Sequence, residues 1–248
     1  MTVDRTEAKS GLFAAMRRYY RRTRPSHGPV PKILPVVVVG MLAAAAYLLL
    51  DAPAAEMRGH WPGWLARPSR LLTDLGKSGW IIGGTLAIIA IGALVRRFSG
   101  VEERRRLGVT AIQTAGYIFL SVAGSGLISN ILKRAIGRPR PVLFSDDGLF
   151  SLHPFSNSFN YESFPSGHAT TCGAFWAALA LLLPSWRWPL LLVGLCLALT
   201  RIFVGAHFPS DVLVGFGWGM WFAFFIAVVF SRCGLIFTHA DGKLGKRA

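Results

Sequence analysis

Acidic residues are scarce in this chain. Only 12 Asp and Glu stand against 27 Lys and Arg in 248 residues, and charged residues of both signs make up 16%. A soluble domain carries about 25%, so water is not the only solvent this sequence is built for. Cysteine is nearly missing as well. The three that occur, Cys172, Cys196 and Cys233, lie in or beside apolar runs, with no CxxC spacing and no neighbouring histidine cluster, and they read as packing residues. Neither an internal repeat, nor a low-complexity tract, nor a separate soluble domain can be found. A cleaved leader is not expected either: a long basic segment precedes Ile33, and no small-residue cleavage site follows Leu50. The first apolar run should therefore stay as an anchor.

What the chain has instead is apolar length. Hydrophobic residues make up 52%, and six stretches approach the length of a membrane span: Ile33–Leu50, Trp80–Val95, Leu107–Leu132, Ala169–Leu183, Leu190–Val204 and Val212–Phe230. Because a span needs about 20 mostly apolar residues, the pattern predicts an all-α, six-transmembrane-helix bundle. That single domain would occupy residues 33–232, between a basic cytoplasmic N-terminal segment (1–32) and a cytoplasmic tail (233–248). Leu12, Phe13, Met16 and Tyr20 fall near one helical face of the N-terminal segment, away from Arg17, Arg18, Arg21 and Arg22, as in a helix resting on anionic headgroups.

The excess of cations reports orientation rather than nucleic-acid binding. With the N-terminus inside, eighteen of the 27 Lys and Arg fall on the cytoplasmic side and nine on the other. This predicts that both termini are cytoplasmic. Three polar clusters then share the outer ends of the spans: "KRAIGRPRP" with Lys133 and Arg140, "PSGH" from Pro165 to His168, and "TRIFVGAHFPSD" with Arg201, His207 and Asp211. The aromatic and polar segment Pro141 to Phe164 reads as an ordered outer loop or lid.

A patch of this composition suits a phosphoryl group. Pro165 fits the first turn of a helix whose free Gly167 and His168 N–H groups point outward, at the positive end of the helix dipole. Gly167 allows close approach to the backbone, and the Ser166 hydroxyl adds a donor. Lys133, Arg140 and Arg201 bring positive charge, arginine with a planar fork that grips two oxygens at once. Two histidines suggest more than binding. With the sixth helix starting near Pro209, Asp211 in its first turn reaches back to His207, fixes its tautomer and leaves the other ring nitrogen to act as nucleophile. His168 is then free to protonate a leaving oxygen.

These clusters resemble the signature of the type 2 phosphatidic acid phosphatase superfamily: Lys, six residues, Arg-Pro; Pro-Ser-Gly-His; Ser-Arg, five residues, His, three residues, Asp. Lys133 with Arg140-Pro141, the intact "PSGH", and Arg201, His207 and Asp211 keep that spacing, and Thr200 replaces the usual Ser while keeping a hydroxyl. The resemblance implies a lipid phosphatase at the outer face of a bacterial inner membrane. His207 would attack phosphorus, a phosphohistidine would form, His168 would act as acid and Asp211 would orient His207. Lys133, Arg140, Ser166, Gly167 and Arg201 would hold the phosphoryl oxygens, with no metal and no cofactor. The partners implied are the bilayer and a lipid phosphate: phosphatidylglycerol phosphate, phosphatidic acid, undecaprenyl pyrophosphate or lipid A phosphate. A phosphotransferase passing the group to another lipid is the alternative, and a non-enzymatic lipid-phosphate transporter a further one. Arg134 and Arg138 lie off the pattern and read as interfacial cations or as contacts to a second phosphate.

Overall fold

The computed structural model describes residues 33–240 and 243–246. The expected N-terminal interfacial helix therefore lies outside the described residues. Among those described, the long helices are α1 (Ile33–Leu49), α2 (Ser78–Phe98), α3 (Glu102–Ile136), α4 (Gly167–Leu182), α5 (Arg187–Phe203) and α6 (Pro209–Arg232). Each contains or closely matches one of the six apolar runs. The chain is an all-α bundle and a multi-pass membrane protein. Four helical segments, Gly63–Phe98, Glu102–Asp147, Pro184–Phe203 and Pro209–Arg232, are long and apolar enough to cross a membrane. α1 and α4 are shorter, at 17 and 16 residues. At 1.5 Å per residue those two reach about 25 Å, a little less than a hydrocarbon core of about 30 Å.

The bundle is organised around α4. Ala169 to Ala174, Ala177, Ala178, Ala180 and Leu182 are all buried, so α4 shows protein rather than lipid to nearly every side. Its composition of Ala, Gly, Thr and Cys makes this possible, because small side chains let neighbouring backbones come close. A methyl group on Gly173 would overlap the Phe216 carbonyl of α6, and one on Gly215 or Gly219 would overlap the carbonyls of Ser166 or Thr170. α3 approaches with a stripe at four-residue spacing, Tyr117, Ser121, Ser125, Ser129 and Lys133, all buried. The Ser129 and Thr170 hydroxyls meet at 3.3 Å across that contact. The outer faces carry exposed Leu34, Leu48, Leu94, Leu127 and Leu192, as a surface facing lipid tails requires.

Gly219→Ala tests this close packing directly. The added methyl must push α6 away from the Thr170 carbonyl, and overpacking of this kind costs about 1–3 kcal/mol. A clear drop in the melting temperature of the detergent-solubilised protein is expected; an unchanged melting temperature would mean that the two backbones part freely.

Two regions add to the sequence reading. The connector after α1 is structured, with short helices Asp51–Glu56 and Gly63–Leu72 and a 3-10 turn Thr73–Gly76. The first residues of the tail are not free. Phe237–Ala240 pairs antiparallel with Lys243–Lys246, and Ile236 and Phe237 are buried, the Phe237 ring 4.9 Å from that of Tyr117. Apolar residues following the last span found a gap between α3 and α6, and burying them outweighs leaving the tail solvated.

Candidate active site

The clusters from three parts of the chain meet at one end of the bundle, where α3 and α5 end and α4 and α6 begin. α3 ends at Gly137, whose φ of +65° is a left-handed cap closed by a 2.8 Å hydrogen bond from its N–H to the Lys133 carbonyl. That reversal leaves Lys133 inside the last helical turn and sends Arg138 and Arg140 back over the end of the bundle. The loop Pro141 to Phe164 is tied down to this turn. Asn160 and Arg138 carbonyls accept from the Arg140 and Ser163 N–H groups at 2.8 and 3.0 Å, and the Gly137 carbonyl accepts from His153 at 2.8 Å.

α4 begins two residues later than its Pro-Ser-Gly-His motif suggested, and Pro165 lies ahead of the helix instead of in its first turn. Ser166 is the N-cap, its hydroxyl accepting from the Ala169 N–H at 3.4 Å, and it is fully buried. The competing preference won: a serine makes a better cap than a proline, because its oxygen satisfies an N–H the helix leaves open. Gly167 and His168 become the first two helical residues, with N–H groups outside the helical ladder. A methyl on Gly167 would lie 3.2 Å from the Lys133 Nζ, so the missing side chain is what lets the ammonium sit against the start of α4. His168 has Lys133, Arg201 and His207 within electrostatic reach, and its ring packs over Gly76 of the connector.

Arg140 and Arg201 are held from behind. Arg140 donates to the carbonyls of Phe159, Ala206 and Glu162 at 3.1 to 3.3 Å. Its guanidinium carbon lies 3.7 Å from the centre of the Phe159 ring. Three of the five guanidinium N–H bonds are thereby used, and two remain for a ligand. Arg201 donates to the Thr73 hydroxyl at 2.8 Å, while its buried Nε has no partner. A buried cationic donor without an acceptor is costly, and an anion in the site would satisfy it.

His207 lies in the tight turn between α5 and α6, outside both helices and 2% exposed. Burial pushes its imidazole down to about 4, against the opposing pull of Asp211. The ring is therefore neutral at pH 7. Asp211 occupies the first turn of α6, as its spacing predicted, but its Oδ2 stands 3.7 Å from the His207 Nδ1. That is electrostatic reach, beyond a hydrogen bond.

Asp211 has other partners. Oδ2 accepts from the Ser163 hydroxyl at 2.6 Å and the Phe208 N–H at 3.1 Å, and Oδ1 accepts from the Arg138 Nη1 at 2.5 Å. Arg138 in turn donates to the Ser210 hydroxyl and, through Nη2, to Asp51, each at 2.9 Å. Asp51 also accepts from the Ser210 N–H at 3.0 Å. Arg138 is 6% exposed and Asp51 and Asp211 are fully buried. The reading of Arg138 as an interfacial cation or a phosphate contact is thus corrected: two carboxylates hold it inside the protein. Arg134 does remain at the surface, 3.6 Å from Glu162. Asp51, Ser163, Thr73 and Gly76 were missed from sequence. Only Asp51 left a signal, as an unpaired acid at the end of an apolar run in a chain so poor in acids.

This arrangement can seat a tetrahedral anion among Lys133, Arg140, Arg201 and the start of α4, with two imidazoles beside it. The comparisons with known proteins concern the chain as a whole. The profile of the PAP2 superfamily matches residues 114–234. The chain is 39% identical over 238 residues to a lipid A 1-phosphatase of Rhizobium johnstonii, covering 95% of this chain and 97% of that protein. It is 42% identical over 206 residues to a lipid A 1-phosphatase of Rhizobium etli, covering 82% of this chain and 88% of that one. Among solved structures it is similar to a transmembrane PAP2-type phosphatidylglycerolphosphate phosphatase from Bacillus subtilis, with a TM-score of 0.49 and 19% identity over 90% of this chain and 96% of that chain.

Proposed function

The chain belongs to the PAP2 superfamily, and from that premise we propose that it is a membrane lipid phosphatase whose substrate is lipid A carrying a phosphate at position 1. The observation that carries this reading is the convergence of Lys133, Arg140, Arg201, His168 and His207 on one end of a bundle whose sequence follows lipid A 1-phosphatases along nearly its whole length. A site at the end of apolar helices lets a lipid present its headgroup without leaving the bilayer.

In this reading Lys133, Arg140, Arg201 and the Gly167 N–H hold the phosphoryl oxygens and stabilise the charge that builds on them as the bond to the lipid oxygen breaks. Ser166 caps the helix that presents Gly167, and its hydroxyl proton is free for an oxygen of the ligand. His207, neutral because it is buried, attacks phosphorus through Nε2, and His168, protonated as the phosphate dianion offsets the charges of Lys133 and Arg201, gives that proton to the departing lipid oxygen. Asp211 faces Nδ1 and supports the charge that ring acquires. Water then attacks the phosphohistidine, His168 takes the water's proton, and orthophosphate leaves with His207 restored. The distribution of cations supports a site on the outer face of the inner membrane, with both termini cytoplasmic.

Purified protein given lipid A labelled in its 1-phosphate is the test. Label should appear as free orthophosphate, and phosphatidic acid, phosphatidylglycerol phosphate and undecaprenyl pyrophosphate should turn over more slowly. Label appearing on a second lipid would make the protein a phosphotransferase, and faster turnover of any of the other three would reassign the substrate.

A further inference from the structure

Beside the catalytic site the connector forms a second cationic hollow. A cleft of about 340 Å³ is lined by Arg58, Trp61, Gly63, Arg67, Arg70 and Phe203, among others. It adjoins the reacting groups through the turn between α5 and α6: the Arg58 Nε donates to the Gly205 carbonyl at 3.3 Å, two residues before His207. Arg67 and Arg70 stand three apart on the helix Gly63–Leu72, on neighbouring positions of one face.

The three guanidiniums are exposed along this cleft, and among the described residues no carboxylate forms an ion pair with any of them. Trp61 also lines the cleft, and its indole N–H is buried without an acceptor. Its ring packs edge-on against that of Phe203, with centroids 5.2 Å apart. The helix Gly63–Leu72 starts at this cleft with no side-chain cap, which leaves its first N–H groups open. Forked cations, a buried unsatisfied donor and an uncapped helix start are the requirements of a phosphate site.

We propose that this cleft binds a second phosphate, carried by the same lipid whose other phosphate occupies the catalytic site. The inference rests on the lipid phosphatase reading. It explains why the connector is folded: it turns a loop into a reader of the headgroup at a fixed distance from His207.

The test compares two disaccharide lipids with identical acyl chains, one phosphorylated at both ends and one only at the end that reacts. Binding to His207→Ala protein in detergent, read by native mass spectrometry, avoids turnover. The diphosphoryl lipid should bind about tenfold tighter, and Arg67→Gln with Arg70→Gln should bring the two within about twofold, the loss expected for charge-assisted hydrogen bonds at a half-open site. Arg67→Lys with Arg70→Lys should restore part of the difference. Equal losses for both lipids, or none for either, would overturn the proposal. So would a weakening, in the Gln variant, of inhibition by inorganic phosphate during turnover of the monophosphoryl lipid, because the cleft would then take the free product. If the unmutated protein hydrolysed neither lipid, the phosphatase reading would fail, while the binding ratio would still decide the cleft.

Discussion

Replacing His207 with alanine should abolish release of phosphate from lipid A, lowering turnover by about 10⁴-fold or more, the scale on which loss of a nucleophile is felt. His168→Ala should cost about 10² to 10⁴-fold, the contribution of a general acid. The protein level and membrane insertion of both variants should be normal, since neither ring is a packing centre of the bundle. The two losses differ in kind. With His168→Ala, a labelled phosphoryl group should still be trapped on the protein, acid-labile and base-stable as a phosphohistidine, whereas His207→Ala should trap none. Near-normal turnover in either variant would remove the role assigned to it, and label trapped on the His207 variant would move the nucleophile elsewhere.

The pH dependence follows from the position of the same ring. An ordinary histidine loses its lone pair near pH 6.5; His207, pushed down to about 4 by burial, keeps it. On the free protein, this residue's contribution to the acid limb of kcat/KM should therefore lie near 4. Stability moves in the same direction. Below about 6.5 the unfolded chain takes up a proton that folded His207 refuses, so stability falls with falling pH until about 4, where both states are protonated.

How much of this was legible in the sequence follows from what kind of signal each feature leaves. Apolar runs are local and additive, so all six long helices could be read to within a few residues at most ends. The reacting groups could be read because their spacing is tied to helix starts: His207 and Asp211 straddle Pro209, and the helix does begin there. Pro165 misled because two good helix-start residues stood side by side and the capping preference of Ser166 prevailed. The Asp51 to Arg138 pair joins residues 87 apart, with no periodicity to announce it. The connector was opaque for a related reason: its helix Gly63–Leu72 has its purpose in what it leans on, α5, and a short amphipathic segment does not name its partner.

Arg138 shows best what sequence could not supply, and its removal should be the most damaging change to the fold. Arg138→Met keeps much of the side chain's length and apolar stem but leaves Asp51 and Asp211 buried side by side without a cation. Breaking a buried ion pair by deleting one partner costs about 3–5 kcal/mol, and here one deletion strands two carboxylates. The Arg138 guanidinium also lies 4.4 Å from the centre of the Phe208 ring and 5.3 Å from that of Tyr47, so two aromatic faces lose a cation as well. The variant should accumulate poorly or melt far below the parent in detergent. Asp51→Asn in the same chain should recover part of the melting temperature by removing one stranded charge, and should recover little turnover, because Asp211 still lacks the donor that holds Oδ1. A fully apolar replacement of such a triad can be neutral for stability, which turns the argument toward position: Arg138 and Asp51 tie the end of α1 to the first turn of α6 and leave Oδ2 of Asp211 toward His207. If Arg138→Met melted with the parent and kept its turnover, the buried triad would be neither a brace for the bundle nor a support for the nucleophile.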